Sequence, residues 1–168
     1  MKTIPILVAS SGKNLELAKS LNDILGELGW TGEIIPLIDL NLPLYSTVAE
    51  KEGIPDKAKT ICEKLIQAKG LIFLAPEYNG GVPPTLNNLI AWVSRASEEW
   101  RDAFNNKPAV VGTHSGGGGL HGLMAMRMQL SYIGMNVLGR QIHTHYSKPL
   151  DHDSAKDTLG RFIELIGK

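Results

Sequence analysis

The chain has one cysteine among its 168 residues, Cys62. A lone thiol excludes an internal disulfide, and its place in a helical pattern reads as a small packed residue rather than a nucleophile. Net charge is also missing. Seventeen Lys and Arg offset seventeen Asp and Glu, formally zero, and the two signs are interspersed. Such a balance leaves no electrostatic footprint for nucleic acid or for an anionic membrane. It also speaks against an acidic electron carrier that docks on basic partners. No apolar run reaches the roughly 18 residues of a membrane-spanning helix. The N-terminus has no signal-peptide apolar region, so a cytoplasmic home is expected. Internal repeats and low-complexity segments are absent too. The length suits one domain, residues 1–168, with a substantial core.

What is present is an alternation of two patterns. Thr3 to Ala9, Glu33 to Ile38, Leu71 to Ala75, Pro108 to Thr113 and Asn136 to His143 read as five strands. Between and after them lie helical patterns: Leu15 to Leu28, Pro55 to Ile66, Leu86 to Val93, Leu120 to Ile133 and Ser154 to Ile166. Short continuous apolar runs suit strands buried on both faces. Strands alternating with helices predict an α/β fold, a parallel sheet with helices on both faces. Asn41 to Pro55, with Tyr45, reads as a loop long enough to line a site, and Ala96 to Lys107 as a surface excursion.

The stretch Leu71 to Arg95 organises the rest. A strand ends at Pro76. Asn79-Gly80-Gly81 is a tight-turn signal. Pro83-Pro84 suits a helix start, and Leu86, Leu89, Ile90 and Val93 form one apolar helical face. In an open α/β sheet, ligands bind beyond the carboxyl ends of the strands, where this loop lies. The run Pro76-Glu77-Tyr78-Asn79-Gly80-Gly81-Val82-Pro83, with Leu86, Asn87-Asn88 and Trp92, resembles the signature of the NADPH-dependent FMN reductase family. That resemblance implies a three-layer flavodoxin-like fold with strand order 2-1-3-4-5. It implies FMN as cofactor and NADPH or NADH as co-substrate. Hydride would pass to flavin N5 and then, in a ping-pong exchange, to a quinone-like or other small acceptor. A homodimer or homotetramer is implied as well.

Three loops are candidates for one site. Ser10, Ser11, Gly12, Lys13 and Asn14 precede a helix, whose free N–H groups attract phosphate. The family's loop carries an arginine that this one lacks; Lys13 offers a charge without the bidentate fork. Pro76, Glu77, Tyr78, Asn79 and Gly80 would lie along the flavin body, with Glu77 a structural acceptor for backbone N–H groups. Ser115, Gly116 and Gly117, in a run of four glycines, would meet the far end of the flavin. No side chain is expected to act as acid or base; the flavin carries the chemistry.

Two other readings remain open at this point. A non-enzymatic flavin-binding or redox-sensing module would bind FMN without turnover. Alternatively, Ser115 within Thr113-His114-Ser115-Gly116-Gly117 could be a hydrolase nucleophile with Asp151-His152 downstream, although Thr113 stands where the elbow wants glycine. His143 and His145 share a strand face, but no carboxylate or cysteine cluster joins them as metal ligands.

Overall fold

The computed structural model describes residues 2–167. In chain order the elements are β1 Thr3–Val8, α1 Lys13–Glu27, β2 Thr31–Pro36, α2 Leu37–Leu40, α3 Thr47–Lys51, α4 Asp56–Gln67 and β3 Leu71–Leu74. Then come α5 Pro84–Val93, β4 Pro108–His114, α6 Leu120–Tyr132, β5 Asn136–Val137, β6 Ile142–Thr144 and α7 His152–Ile166. The sheet order is β2-β1-β3-β4-β5, with β6 also pairing with β4, and every pair is parallel. The expected α/β class, order and two-sided cover therefore hold.

Alternate residues of each strand feed two cores. Ile6, Val8, Ile72, Leu74 and Val110 pack under α1 and α7. Leu7, Phe73, Ala109 and Val111 pack under α4, α5 and α6. All four residues of β3 are buried, as a central parallel strand requires. Cys62 is 1% exposed. Its Sγ lies 3.6 Å from the Val93 carbonyl, and burial pushes the thiol pKa up. It is a packed residue, as its pattern suggested.

The strands differ from expectation at two places. The second begins and ends two residues earlier, at Thr31 and Pro36, in register with Thr3 and Val8. Pro36 has no N–H to continue the ladder, and Leu37–Leu40 turns into a short helix that closes on Asn41 at φ 46. The last expected strand is two, Asn136–Val137 and Ile142–Thr144, making six among the described residues. Each half pairs with β4, and in the gap between them Arg127 Nη2 donates to the Leu138 carbonyl at 2.8 Å.

The connections are also more ordered than their composition suggests. Asn41 to Pro55 contains α3, and α5 staples this segment down. Asn88 Oδ1 accepts from Tyr45 N at 2.7 Å, and its Nδ2 donates to the Pro43 carbonyl. Trp92 Nε1 donates to the same carbonyl at 2.7 Å. Within 96–107, Ala103 and Phe104 are buried, so the segment is a plug rather than a surface excursion. Lys107 at its end donates to the Leu65 and Ile66 carbonyls, the latter at 2.6 Å. It thereby satisfies the open C-terminus of α4.

Candidate active site

The carboxyl ends of β1, β3 and β4 lie side by side, so the loops that follow them meet. Together they line a cavity of about 400 Å3. Its wall holds Ser10 to Asn14, Pro76 to Tyr78, Ser115 and Gly116, together with Ile38, His114 and Tyr146. Asn79, Gly80 and Gly117 lie outside this wall. Two larger cavities, of about 480 and 470 Å3, sit elsewhere, against Trp30 and α7 and against α6. The first touches none of the three loops, and the second meets the loop after β3 only at Val82. Ile38 and Tyr146 lie outside the glycine-rich loops that the sequence marks. Both come two residues after a strand's carboxyl end, a position that signals a ligand site in such sheets.

The first loop presents backbone rather than side chain. Gly12 caps α1 with no side-chain hydrogen bond. The N–H groups of Ser11, Gly12, Lys13 and Asn14 meet no protein acceptor among the described residues. Four unclaimed amides at a helix N-terminus form an anion cradle. Lys13 stands at its rim, exposed, with Nζ 2.8 Å from Glu16 Oε2. That partner raises the Lys13 pKa and lowers that of Glu16. Asn14 differs from its neighbours. It is 2% exposed. Its Nδ2 donates to the His114 carbonyl at 3.0 Å, and its Oδ1 accepts from His114 N at 2.8 Å. Its side chain ties the first loop to the end of β4, leaving only its N–H for a ligand.

The second loop is a tight hairpin. Tyr78 and Gly81 exchange hydrogen bonds of 3.1 and 2.9 Å, with Asn79 at φ 51 and Gly80 at φ 74. Positive φ at both central residues is the Asn-Gly turn of two-residue hairpins. Glu77 turns inward, and Oε2 accepts from Gly122 N in the first turn of α6 at 2.9 Å. This is the structural acceptor role expected of it. Gly122 permits the approach, since a Cβ there would stand 3.0 Å from Glu77 Cβ. The Tyr78 side chain is 52% exposed.

The third loop leaves the Gly116 and Gly117 N–H groups without protein acceptors among the described residues. Ser115 is buried, and its Oγ accepts weakly from Glu77 N at 3.4 Å. The downstream His152 is not near it. His152 Nε2 is 2.9 Å from Glu27 Oε1, at the far end of α1, about 20 Å from the cradle at 1.5 Å per residue. A Ser115 triad is therefore not favoured. The His143 and His145 rings lie 5.5 Å apart, and His143 Nε2 meets the Gly118 carbonyl. No group of three or more His, Cys, Asp or Glu suited to a metal occurs among the described residues.

Comparison with known proteins fits this geometry. The model of the family described as NADPH-dependent FMN reductase matches residues 3–148. The chain belongs to that family. Among curated members, an uncharacterized MG342 homolog of Mycoplasma pneumoniae is 30% identical over 156 residues, covering 89% of this chain and 91% of that protein. The quinone reductase of Escherichia coli K12 is 32% identical over 103 residues. That match spans 60% of this chain but only 53% of the reductase, about half its length. Among solved structures, FerB of Paracoccus denitrificans, a flavoenzyme NAD(P)H:(acceptor) oxidoreductase, superposes with a TM-score of 0.78 at 21% identity. It covers 99% of this FMN reductase family chain and 96% of its own, a likeness of fold.

Proposed function

We propose that this FMN reductase family chain is an FMN-dependent NAD(P)H oxidoreductase acting on a small acceptor of the quinone class. The observation that carries the reading is the convergence of three loops on one cavity, two of them with unclaimed amides. FMN, when bound, supplies the hydride acceptor and donor. The residues present fit it. The amides of Ser11 to Asn14 and the Ser10 hydroxyl suit its phosphate. Pro76, Glu77 and Tyr78 would lie along its flat body, continued by Asn79 and Gly80, and Ser115 and Gly116, continued by Gly117, would meet the far edge. The free Gly116 and Gly117 amides would offset negative charge there. Glu77, committed to Gly122, holds the second loop and moves no proton.

A homodimer or homotetramer belongs to the same proposal. Leu120, Met124, Met128 and Tyr132 recur every fourth residue on α6, and each is more than half exposed. A contiguous apolar stripe of that kind suits an isologous interface. One domain over residues 1–168 fits a sheet that both cores share. The cytoplasm is the proposed compartment; among the described residues no helix is long and apolar enough to cross a membrane.

The test is an absorbance spectrum of purified protein before and after adding FMN, followed by NADPH consumption with an added quinone. Bound flavin with turnover is expected. Bound flavin without turnover identifies a flavin-binding module instead, and no bound flavin overturns the reading.

A further inference from the structure

His114, the last residue of β4, borders the anion cradle and carries a polar atom with no partner. Its main chain is fixed at both N–H and carbonyl by Asn14. Its ring is fixed by Thr144, with Nδ1 3.1 Å from Oγ1. The Thr144 hydroxyl has one hydrogen and donates it to the Thr113 carbonyl at 2.9 Å. Toward the imidazole it can only accept, so Nδ1 carries the ring proton and Nε2 presents the free lone pair. Nε2 is buried and bonded to nothing among the described residues.

Several observations place this ring beside the first turn of α1. His114 lines the 400 Å3 cavity and also a neighbouring one of about 280 Å3, together with Lys13, Glu16 and Leu17. Glu16 is held below the ordinary carboxylate range chiefly by Lys13 and in smaller part by His114. Tyr146 stands edge-to-face against the imidazole, centroids 5.4 Å apart. Its side chain is 77% exposed, so it can turn aside at little cost in buried area. The cradle also lacks a committed cation, because Lys13 is engaged by Glu16.

We propose that His114 supplies this charge: Nε2 holds a proton between the imidazole and the FMN phosphate. The inference rests on the flavin reading above. One proton is taken from solvent, or arrives on the phosphate, and remains shared; no covalent bond between heavy atoms changes. Forming that contact consumes a proton wherever neither free partner already holds one. FMN affinity therefore falls as pH rises, by about tenfold per pH unit at the steepest. Without His114, the phosphate's own titration near about 6 would leave affinity flat or rising with pH. The other titratable side chains around the ring are Lys13 and Glu16 on α1, Glu77 and Tyr78 after β3, and His145 and Tyr146 after β6. His145 is the other imidazole among them, so its variant is the control.

The experiment titrates flavin-free protein with FMN and with riboflavin, which lacks the phosphate, at about pH 6 and about pH 8. FMN affinity should fall about tenfold across that interval, while riboflavin affinity changes little. His114→Gln should abolish the slope, and His145→Gln should keep it. The His114 ring signals in NMR of the native protein, which need no variant to fold, should report more protonation with FMN than with riboflavin. A flat native FMN profile, an unchanged slope in His114→Gln, or identical ring signals with both flavins overturns the proposal and leaves the flavin reading standing. Failure of both flavins to bind overturns both.

Discussion

Replacing Asn14 by Ala should cost more than any other single truncation in the first loop. The side chain makes two hydrogen bonds, 3.0 and 2.8 Å, to the carbonyl and N–H of His114, and it is almost fully buried. Removing it forfeits two bonds worth about 1 kcal/mol each. It also strands two backbone groups, at a cost of about 1–3 kcal/mol where water cannot reach them. We expect a loss of about 2–4 kcal/mol, which for a chain of this size lowers the thermal midpoint by about 5–15 °C. Asn14→Asp sharpens the test. It keeps an acceptor for His114 N and adds charge near the N-terminus of α1, worth about 0.3–1 kcal/mol. It also replaces the donor toward the His114 carbonyl by a carboxylate oxygen. The lost donor outweighs the helix gain, so Asp should be no better than Ala at neutral pH. It should recover as acid protonates the carboxylate and restores a donor. Calorimetry of the flavin-free variants at two pH values measures both effects. An Ala midpoint within about 2 °C of native would refute the bridge as a stabilising link, and so would an Asp variant more stable than Ala at neutral pH.

Further outcomes follow from the geometry. Gly80→Ala places a side chain at φ 74 and should destabilise by about 1–2 kcal/mol, whereas at Gly81 a Cβ meets only the Tyr78 carbonyl at an ordinary 3.6 Å; Gly81→Val should therefore keep its flavin-free midpoint and lose FMN affinity, as thermal melts beside fluorescence titration would show. Lys107→Met removes the donor to the Leu65 and Ile66 carbonyls, and urea unfolding should read a loss of about 1–3 kcal/mol. Glu27 first and Asp153 second raise the His152 pKa. A raised folded-state pKa contributes stability below the unfolded value near 6.5 that is lost as pH rises through the folded one. NMR titration should place His152 above an ordinary imidazole, and Glu27→Gln should bring it back toward one.

The sheet and the three loops were legible because their signals are local. Apolar runs marked the strands, and Asn79-Gly80 marked a turn whose dihedrals only such residues adopt easily. The strand order came through the likeness of residues 76–92 to a known signature, since periodicity carries no order. What could not be read depends on partners distant in sequence. Asn14 looks like a phosphate ligand until His114, a hundred positions away, is seen to occupy its amide. Arg127 reaches into the gap of the last strand from outside it. Phe104 sits in a polar stretch whose composition hides a buried ring. Pro36 was legible in principle, and the apolar residues around it masked its missing N–H.

The bridge between Asn14 and His114 also bears on how the chain reaches its native state. It closes a loop of a hundred residues, spanning β2, β3 and the helices between. Contacts of such long separation are entropically expensive to form early. The cradle on α1 and the glycine loop after β4 would thus come together only after most of the sheet has assembled. A flavin that needs both would find no site on a half-folded chain. It would act as a lock on the finished structure, slowing unfolding while leaving the rate of folding almost untouched.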